Sequence, residues 1–151
     1  MTTGNTDGKG SAEGQDGLGT RWLVDGMNVI GSRPDRWWNA PDEAVRRMID
    51  ELDRYAKETG EEVAVVFDRQ PRDVSPGIHG AITVAFASRR GRNAADHEIA
   101  EMVGDDASPA TLTVVTSDRD LADRVRRRGG RVSSSGSFRR RLDEPSKGRP
   151  A

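Results

Sequence analysis

The chain has 151 residues with 24 Lys and Arg, 25 Asp and Glu and no cysteine, which gives a net charge of −1 with both histidines neutral. The lack of cysteine excludes disulfide frameworks, thiolate zinc sites and thiol nucleophiles. From position 112 onward the sequence carries 11 basic and 5 acidic residues, and this uneven distribution of charge hints at an anionic partner on one side of the molecule.

Residues 1–20 contain six glycines and almost no large apolar side chain. Such a segment cannot offset the entropy of ordering its backbone, so a disordered tail is predicted there, and residues 143–151 are interpreted in the same way. Residues 21–142 are predicted to form one domain. The sequence shows no secretory signal and no apolar run of roughly 18 residues, so we expect a soluble, cytoplasmic protein with no membrane partner.

Four short apolar runs, rich in β-branched residues, are predicted to be strands. Runs without polar alternation are typical of strands that are buried on both faces of a sheet. They are WLV at 22–24, VAVVF at 63–67, AITVAF at 81–86 and TLTVV at 111–115. RVSSS at 131–135 predicts a fifth strand, and FRRRL at 138–142 predicts a closing helical turn.

Amphipathic patterns between the apolar runs predict three helices. The first begins at Pro41 and ends at Gly60, the second begins near Asn93, and the third follows Ser117 and ends at Gly129. Their predicted inward residues are Ile99, Met102 and Val103 in the second helix and Leu121, Ala122 and Val125 in the third. Strands that alternate with helices predict an α/β fold, in which right-handed crossovers build a mainly parallel sheet covered by helices.

Aspartates follow three of the predicted strands at the point where each strand ends. Asp25 follows the first strand, Asp68 the second and Asp118 the fourth. Asp96 lies in the first turn of the helix after the third strand, and Asp120 lies two residues beyond Asp118. Because ligands bind outside the carboxyl ends of parallel strands, these carboxylates are predicted to converge. Converging carboxylates raise one another's pKa unless a cation neutralises them, and their hard oxygen atoms favour Mg²⁺ or Mn²⁺.

Helix capping is the alternative role for the same residues. Ser117 and Asp120 have the spacing of a capping box, and Asp118 also stands where caps occur. Asp96 would stabilise the dipole of the helix in whose first turn it lies. The convergence of four separate elements at one edge favours a metal site over a set of independent caps.

Four motifs stand in order along the predicted domain. They are DGMNVI at 25–30, VVFD at 65–68, NAADHEI at 93–99 and VVTSDRDL at 114–121. Together they resemble the YacP-like NYN domains of the PIN-like metallonuclease superfamily, and the resemblance extends over residues 21–142. It implies a three-layer α/β/α sandwich around a mainly parallel sheet, with a Mg²⁺- or Mn²⁺-dependent endoribonuclease site that acts on RNA.

The resemblance also implies roles for single residues. The positions that match the catalytic metal ligands are Asp25, Asp96 and Asp118. Asn28 would hold Asp25 or a metal-bound water by hydrogen bonds, and Ser117 and Asp120 match more loosely as auxiliary ligands or as supports. Asp68, at the end of the second strand, is separately predicted to have a supporting role. In a site of this kind, metal ions lower the pKa of the attacking water and stabilise the leaving oxygen of the phosphodiester.

Two positions depart from the family pattern. Met27 stands where an aromatic or small polar residue is common, and His97 follows Asp96 where several relatives have a second acidic residue. A missing carboxylate keeps open a second function, that of a catalytically weakened RNA-binding or ribosome-associated module. An aspartyl phosphatase is disfavoured because Met27 occupies the position of its second aspartate. A receiver domain is disfavoured because an acidic pair and a late lysine are both missing.

Arginines flank the predicted acidic edge, where they would hold the phosphates of RNA. They are Arg69 after Asp68, Arg89, Arg90 and Arg92 in the loop SRRGRN at 88–93, and Arg119 after Asp118. Ordinary solvated loop arginines are the alternative, since 21 of the 24 basic residues are arginine. Trp37 and Trp38 are candidates for stacking on bases, whereas Trp22 is expected in the core.

Overall fold

The computed structural model describes residues 20–88 and 94–144, which form an α/β structure built on a six-stranded sheet. The strands are β1 (Arg21–Asp25), β2 (Glu62–Phe67), β3 (Gly77–His79), β4 (Ile82–Phe86), β5 (Leu112–Val115) and β6 (Arg131–Ser133). Their order across the sheet is β3-β4-β2-β1-β5-β6. All neighbouring strands pair in parallel except β3 and β4, which are antiparallel.

Helices cover both faces of this sheet. They are α1 (Gly26–Ile30), α2 (Pro41–Thr59), α3 (Ala94–Asp105), α4 (Arg119–Arg127) and α5 (Ser135–Asp143), with short 3₁₀ turns at Trp37–Asn39 and Pro109–Thr111. The first, second and fifth helices pack in one hydrophobic cluster, and the third and fourth pack in another. The three-layer α/β/α sandwich is therefore confirmed. Within the described ranges, no helix has both the length and the apolar character needed to cross a bilayer.

The central strand β1 shows why the apolar runs lack alternation. Trp22 and Val24 pack in the first cluster, while Leu23 between them packs in the second. Both faces of the strand are therefore covered, and apolar side chains are stabilising at every position. Trp22 is in the core as predicted, with its indole nitrogen donating a hydrogen bond to Glu61 Oε1 at 2.8 Å.

The strand register brings the polar residues of the predicted site to one edge. β1 lies between β2 and β5, with Asp25 opposite Val66 and Val24 opposite Val115. The chain leaves all three strands in the same direction, because all three are parallel. Residues that follow β2 and β5 consequently emerge beside Asp25, the last residue of β1.

The structure corrects several details of the sequence prediction. Met102 is 37% exposed rather than inward, because at about 100° per residue it lies on the flank of the buried stripe formed by Ile99 and Val103. The short strand β3 and helix α1 were not predicted. The closing turn is a helix that begins three residues earlier than FRRRL, at Ser135. Asn93, the predicted start of the second helix, lies outside the described residues.

Candidate active site

Asp25 is a buried carboxyl at the carboxyl end of β1, and only 5% of the residue is exposed. Its Oδ2 accepts a hydrogen bond of 2.9 Å from the hydroxyl of Thr116, the first residue after β5. Burial raises the pKa of Asp25 to about 7, the Thr116 hydrogen bond opposes that rise, and Asp96, Asp68 and Asp118 add to it. The three acidic neighbours are therefore close enough to repel charge on Asp25.

Asp96 and Asp118 form a second part of the acidic cluster. Asp96 is buried in the first turn of α3. Burial raises its pKa to about 6, the neighbouring Asp118 adds to this rise, and the charge of Arg124 opposes it. A cation held at Asp96 would relieve this repulsion.

Asp118 also caps α4, so the capping and cluster interpretations of the sequence both apply to it. Its Oδ1 accepts a hydrogen bond of 3.0 Å from the backbone N–H of Leu121. The predicted capping box of Ser117 and Asp120 is wrong, because the helix begins one residue later than that box requires. Asp120 lies exposed in the first turn of α4 and has no resolved interaction with the cluster.

Asp68 lies on the open side of the cluster, just beyond β2. Asp68 is exposed, but partial desolvation of its carboxyl group raises its pKa. It also adds to the raised pKa values of Asp25 and Asp96. The four aspartates that follow different elements in the sequence thus interact with one another at one edge of the sheet.

Asn28 holds the loop that carries Asp118, and its predicted role of holding Asp25 or a metal-bound water stays a prediction. Its Oδ1 accepts hydrogen bonds from the backbone N–H of Ser117, at 2.9 Å, and from the Ser135 hydroxyl. The Ser117 hydroxyl oxygen in turn accepts a hydrogen bond of 3.0 Å from the Ser135 N–H. Helices α1 and α5 and the loop after β5 are therefore joined through these three polar side chains.

Gly26 allows α1 to begin immediately after Asp25. A Cβ atom at this position would lie 2.4 Å from the ring of Phe67 and 3.1 Å from Val65. These side chains are fully buried, so they have little room to move. The glycine of the DGMN motif is thus needed for the close packing of α1 against β2, which places Asn28 near Ser117.

The predicted basic residues differ in how the structure uses them. Arg69 is paired with Asp42 at the start of α2, with a distance of 2.6 Å between Nε and Oδ1. Arg119 is exposed at the start of α4. Arg89, Arg90 and Arg92 lie outside the described residues. Sequence reasoning missed Arg124, a half-buried residue of α4 whose positive charge lowers the pKa of Asp96.

Thr116 was also missed, although it contacts two residues of the cluster. Its Oγ1 donates to Asp25 and accepts a hydrogen bond of 3.1 Å from the backbone N–H of Asp118. The sequence signal was weak, because threonine at the end of a strand is ordinary. His97 lies apart from this network, and its Nε2 pairs with Glu101 Oε2 at 3.3 Å one turn along α3.

The donor chemistry of the cluster fits a hard divalent cation. Asp25, Asp96 and Asp118 offer carboxylate oxygens. Burial, together with the neighbouring carboxylates, raises the pKa values of Asp25 and Asp96. Within residues 20–88 and 94–144, no three acidic or histidine side chains are already arranged to hold one ion. Mg²⁺ commonly uses only one or two carboxylates and keeps several water ligands, so this arrangement still suits it.

A cavity of about 890 Å³ lies near Thr20 and Gly60, at the end of the sheet opposite to the acidic cluster. Its charged lining includes Arg21 and Asp106, which form a bidentate ion pair with two N–O distances of 2.9 Å. Hydrogen bonding to Arg21 lowers the pKa of Asp106 to about 2. Since these groups already neutralise each other, the acidic edge is the better candidate for chemistry.

One family model and two solved structures are similar to most of this chain. A family model described as the YacP-like NYN domain matches residues 22–149. The crystal structure of Rae1 (YacP) from Bacillus subtilis is similar, with a TM-score of 0.62, 25% identity and coverage of 82% of this chain and 73% of that chain. The crystal structure of a tryptophan-to-leucine mutant of Rae1 (YacP) from Bacillus subtilis is similar with a TM-score of 0.66 and 27% identity. That match covers 82% of this chain and 75% of the mutant chain. No curated protein matches the sequence.

Proposed function

The chain belongs to the YacP-like NYN domain family, a PIN-like nuclease family, and we propose that it is a metal-dependent endoribonuclease that hydrolyses RNA phosphodiesters. The observation that carries the proposal is the mutual interaction of four aspartates from separate elements at one edge of a parallel sheet. Ligand sites of open α/β sheets lie at this edge. Strongly raised pKa values in a cluster of this kind are typical of functional sites.

The residues that would hold Mg²⁺ or Mn²⁺ are Asp25, Asp96 and Asp118, with Asp68 on the open side. The chemistry that such an ion supplies when bound is activation of water and neutralisation of charge on the phosphodiester. Asp25 and Asp96 hold protons below about pH 7 and pH 6 respectively. Their carboxylates therefore become available as ligands as the pH rises through these values.

Other residues of the chain position these carboxylates. Thr116 fixes one oxygen of Asp25, and the same hydroxyl accepts the N–H of Asp118. Asn28 accepts a hydrogen bond from the backbone N–H of Ser117, the residue between Thr116 and Asp118. Because these hydrogen bonds form within the protein alone, they would keep the cluster ordered before substrate binds.

The proposal is tested by metal-dependent cleavage of RNA. Asp25→Asn and Asp118→Asn should each abolish Mn²⁺- or Mg²⁺-stimulated cleavage of a structured RNA, while circular dichroism shows a folded domain. Asp50→Asn is the matched control, because Asp50 is an exposed residue of α2 away from the cluster. Undiminished cleavage by both site variants would overturn the proposal.

A second candidate is a catalytically weakened RNA-binding or ribosome-associated module. It is favoured by His97, which stands where several relatives have an acidic residue. This candidate predicts salt-sensitive RNA binding without metal-dependent turnover. Appearance of cleavage in His97→Asp, starting from an inactive wild type, would support it.

A further inference from the structure

A cleft of about 410 Å³ opens beside Asp118, between α4 and the junction of β6 with α5. Its lining includes Thr116 and Ser117, the two residues that follow β5, together with Val132 and Ser134. The volume lies within the range of roughly 300–1,000 Å³ that is typical of sites for small ligands or single nucleotides. The cleft shares one residue, Asp118, with the acidic cluster.

One face of α4 supplies the charged wall of this cleft. Arg119 and Arg126 are seven residues apart, so they lie two turns from each other on the same side of the helix. Arg119 has no ion-pair partner within the described ranges. Arg126 lies 3.8 Å from Asp123, a pair in which both side chains are mostly exposed and therefore interact weakly. Both guanidinium groups consequently remain available to an anion.

Two serine hydroxyls add neutral hydrogen-bond donors to the cleft. Ser117 Oγ accepts the N–H of Ser135, and Ser134 Oγ accepts the N–H of Ser137 at 3.1 Å. Each serine oxygen therefore accepts a backbone hydrogen bond, and its hydroxyl proton is left to be donated to another group. Among the residues that the structure describes, neither hydroxyl proton has an acceptor. An acceptor-rich ligand would use both protons.

We propose that this cleft binds a phosphate of the RNA backbone next to the phosphodiester that is cleaved, an inference that rests on the proposed nuclease function. Two guanidinium groups and two hydroxyl groups supply the donors that the acceptor oxygens of a phosphodiester require. The lining also contains Asp123 and Asp118, and Asp118 caps α4. The position of the cleft beside Asp118 places the bound phosphate next to the acidic cluster. The cleft thereby supplies the cations that an acidic site requires to hold a polyanion.

The test measures binding of a fluorescein-labelled, single-stranded 12-nucleotide RNA in the presence of Mg²⁺. All proteins carry Asp25→Asn so that the RNA stays intact during the measurement. Arg119→Ala with Arg126→Ala removes both cations of the cleft. The matched control is Arg127→Ala with Arg140→Ala, which removes two exposed arginines from α4 and α5 that do not line the cleft.

We expect the cleft variant to bind the RNA at least about tenfold more weakly than the control. The slope of log affinity against log salt should fall by about 0.7, because the cleft holds one phosphate and each phosphate contact of a single strand contributes roughly 0.7. A neutral methylphosphonate, scanned along the RNA, should weaken binding most at one position. In the cleft variant, a methylphosphonate at that position should no longer weaken binding of the RNA. A purely structural role of the arginines would not produce this result.

Equal affinities and equal salt slopes for the cleft variant and the control would overturn the inference. If the enzyme without Asp25→Asn still cleaves RNA with Mn²⁺ in that case, the proposed function stands and the cleft alone is wrongly assigned. If the protein neither binds nor cleaves RNA, the proposed function fails and the inference fails with it. Arg119→Lys with Arg126→Lys should retain the salt slope, which separates loss of charge from misfolding.

Discussion

The hydroxyl of Thr116 donates a hydrogen bond of 2.9 Å to Asp25, the last residue of the neighbouring strand β1. This bond favours the charged form of Asp25 and opposes the rise in its pKa that burial causes. Thr116→Val should therefore raise the pKa of Asp25 further. We expect the acidic limb of the pH profile of cleavage to move to higher pH, which a series of rate measurements from pH 5 to 9 would detect.

Thr113→Val is the control for this prediction, because Thr113 lies in β5 and its side chain makes no resolved hydrogen bond. It should leave the pH profile in place. Thr116→Val should also lower the free energy of unfolding by about 1–2 kcal/mol, since a buried hydrogen bond is lost. An unchanged acidic limb in Thr116→Val would show that Asp25 does not limit the reaction at low pH.

Removal of charge from Asp25 should stabilise the metal-free protein at neutral pH. The pKa of Asp25 is raised from 3.8 to about 7 in the folded state, so the folded protein binds its proton more tightly than the unfolded chain does. Stability is therefore lost as the pH rises from about 4 to 7. At pH 8, Asp25→Asn should raise the free energy of unfolding by about 1–3 kcal/mol, and near pH 4 the gain should shrink toward zero.

Thermal melts at pH 4 and pH 8 in EDTA measure this difference, with Asp50→Asn as an exposed control. Addition of Mn²⁺ should reverse the order at pH 8, because an ion that binds only the folded wild type stabilises it by mass action. A wild-type melting temperature that does not respond to Mn²⁺ would count against Asp25 as a metal ligand. Equal effects of Asp25→Asn at both pH values would contradict the raised pKa.

Gly26→Ala should destabilise the fold, because the new methyl group would lie 2.4 Å from the ring of Phe67. Overpacking of this kind in a closed core typically costs about 1–3 kcal/mol. Chemical denaturation measures the loss. Gly136→Ala in α5 is the matched control, since its added methyl would meet only the Arg140 side chain at an ordinary 3.9 Å, and it should be neutral or slightly stabilising.

Much of this architecture could be predicted from the sequence because its elements are long enough to show a period. Two short features, β3 and α1, could not be predicted, although the equally short β6 lies within the predicted fifth strand at 131–135. The three residues of β3 are too few to reveal alternation, and helix α1 is only five residues long. Each long strand ended within one residue of its predicted position, which is why the aspartates that follow the strands were placed at one edge.

The contacts within the site were less accessible to sequence reasoning. Asn28 and Ser135 are separated by 107 residues, and only the fold brings them together. Threonine is common in strands, so Thr116 carried no signal of its role. Asp118 fits both the capping and the cluster interpretations, because one carboxyl has two oxygens and can serve two neighbours. Met102 was misplaced because three-residue spacing does not distinguish the centre of a helical stripe from its flank.

Asn28 should be more important for stability than for chemistry. Asn28→Ala removes the acceptor of the Ser117 N–H and of the Ser135 hydroxyl, and should lower the free energy of unfolding by about 1–3 kcal/mol. Asn28→Asp keeps an oxygen acceptor and should retain most of that stability. Equal losses in the two variants, measured by denaturant unfolding, would show that the side-chain oxygen is not what holds the loop.

Trp38 should contribute to RNA binding without contributing to stability. It is 59% exposed, and its ring lies edge-on to that of Trp37, which packs against the core, with 6.3 Å between ring centroids. The turn that carries it leads into α2, where Asp42 pairs with Arg69 beside Asp68. We expect a base of the bound RNA to stack on the exposed ring.

Trp38→Ala should weaken binding of a single-stranded RNA by about 1–3 kcal/mol, the range measured for loss of one stacked base. Trp38→Phe should recover most of this affinity, because phenylalanine keeps an aromatic face. The melting temperatures of both variants should match that of the wild type, since the side chain is mainly exposed. If Trp38→Ala binds RNA as tightly as Trp38→Phe, the exposed ring does not stack on a base, and binding depends on the arginines alone.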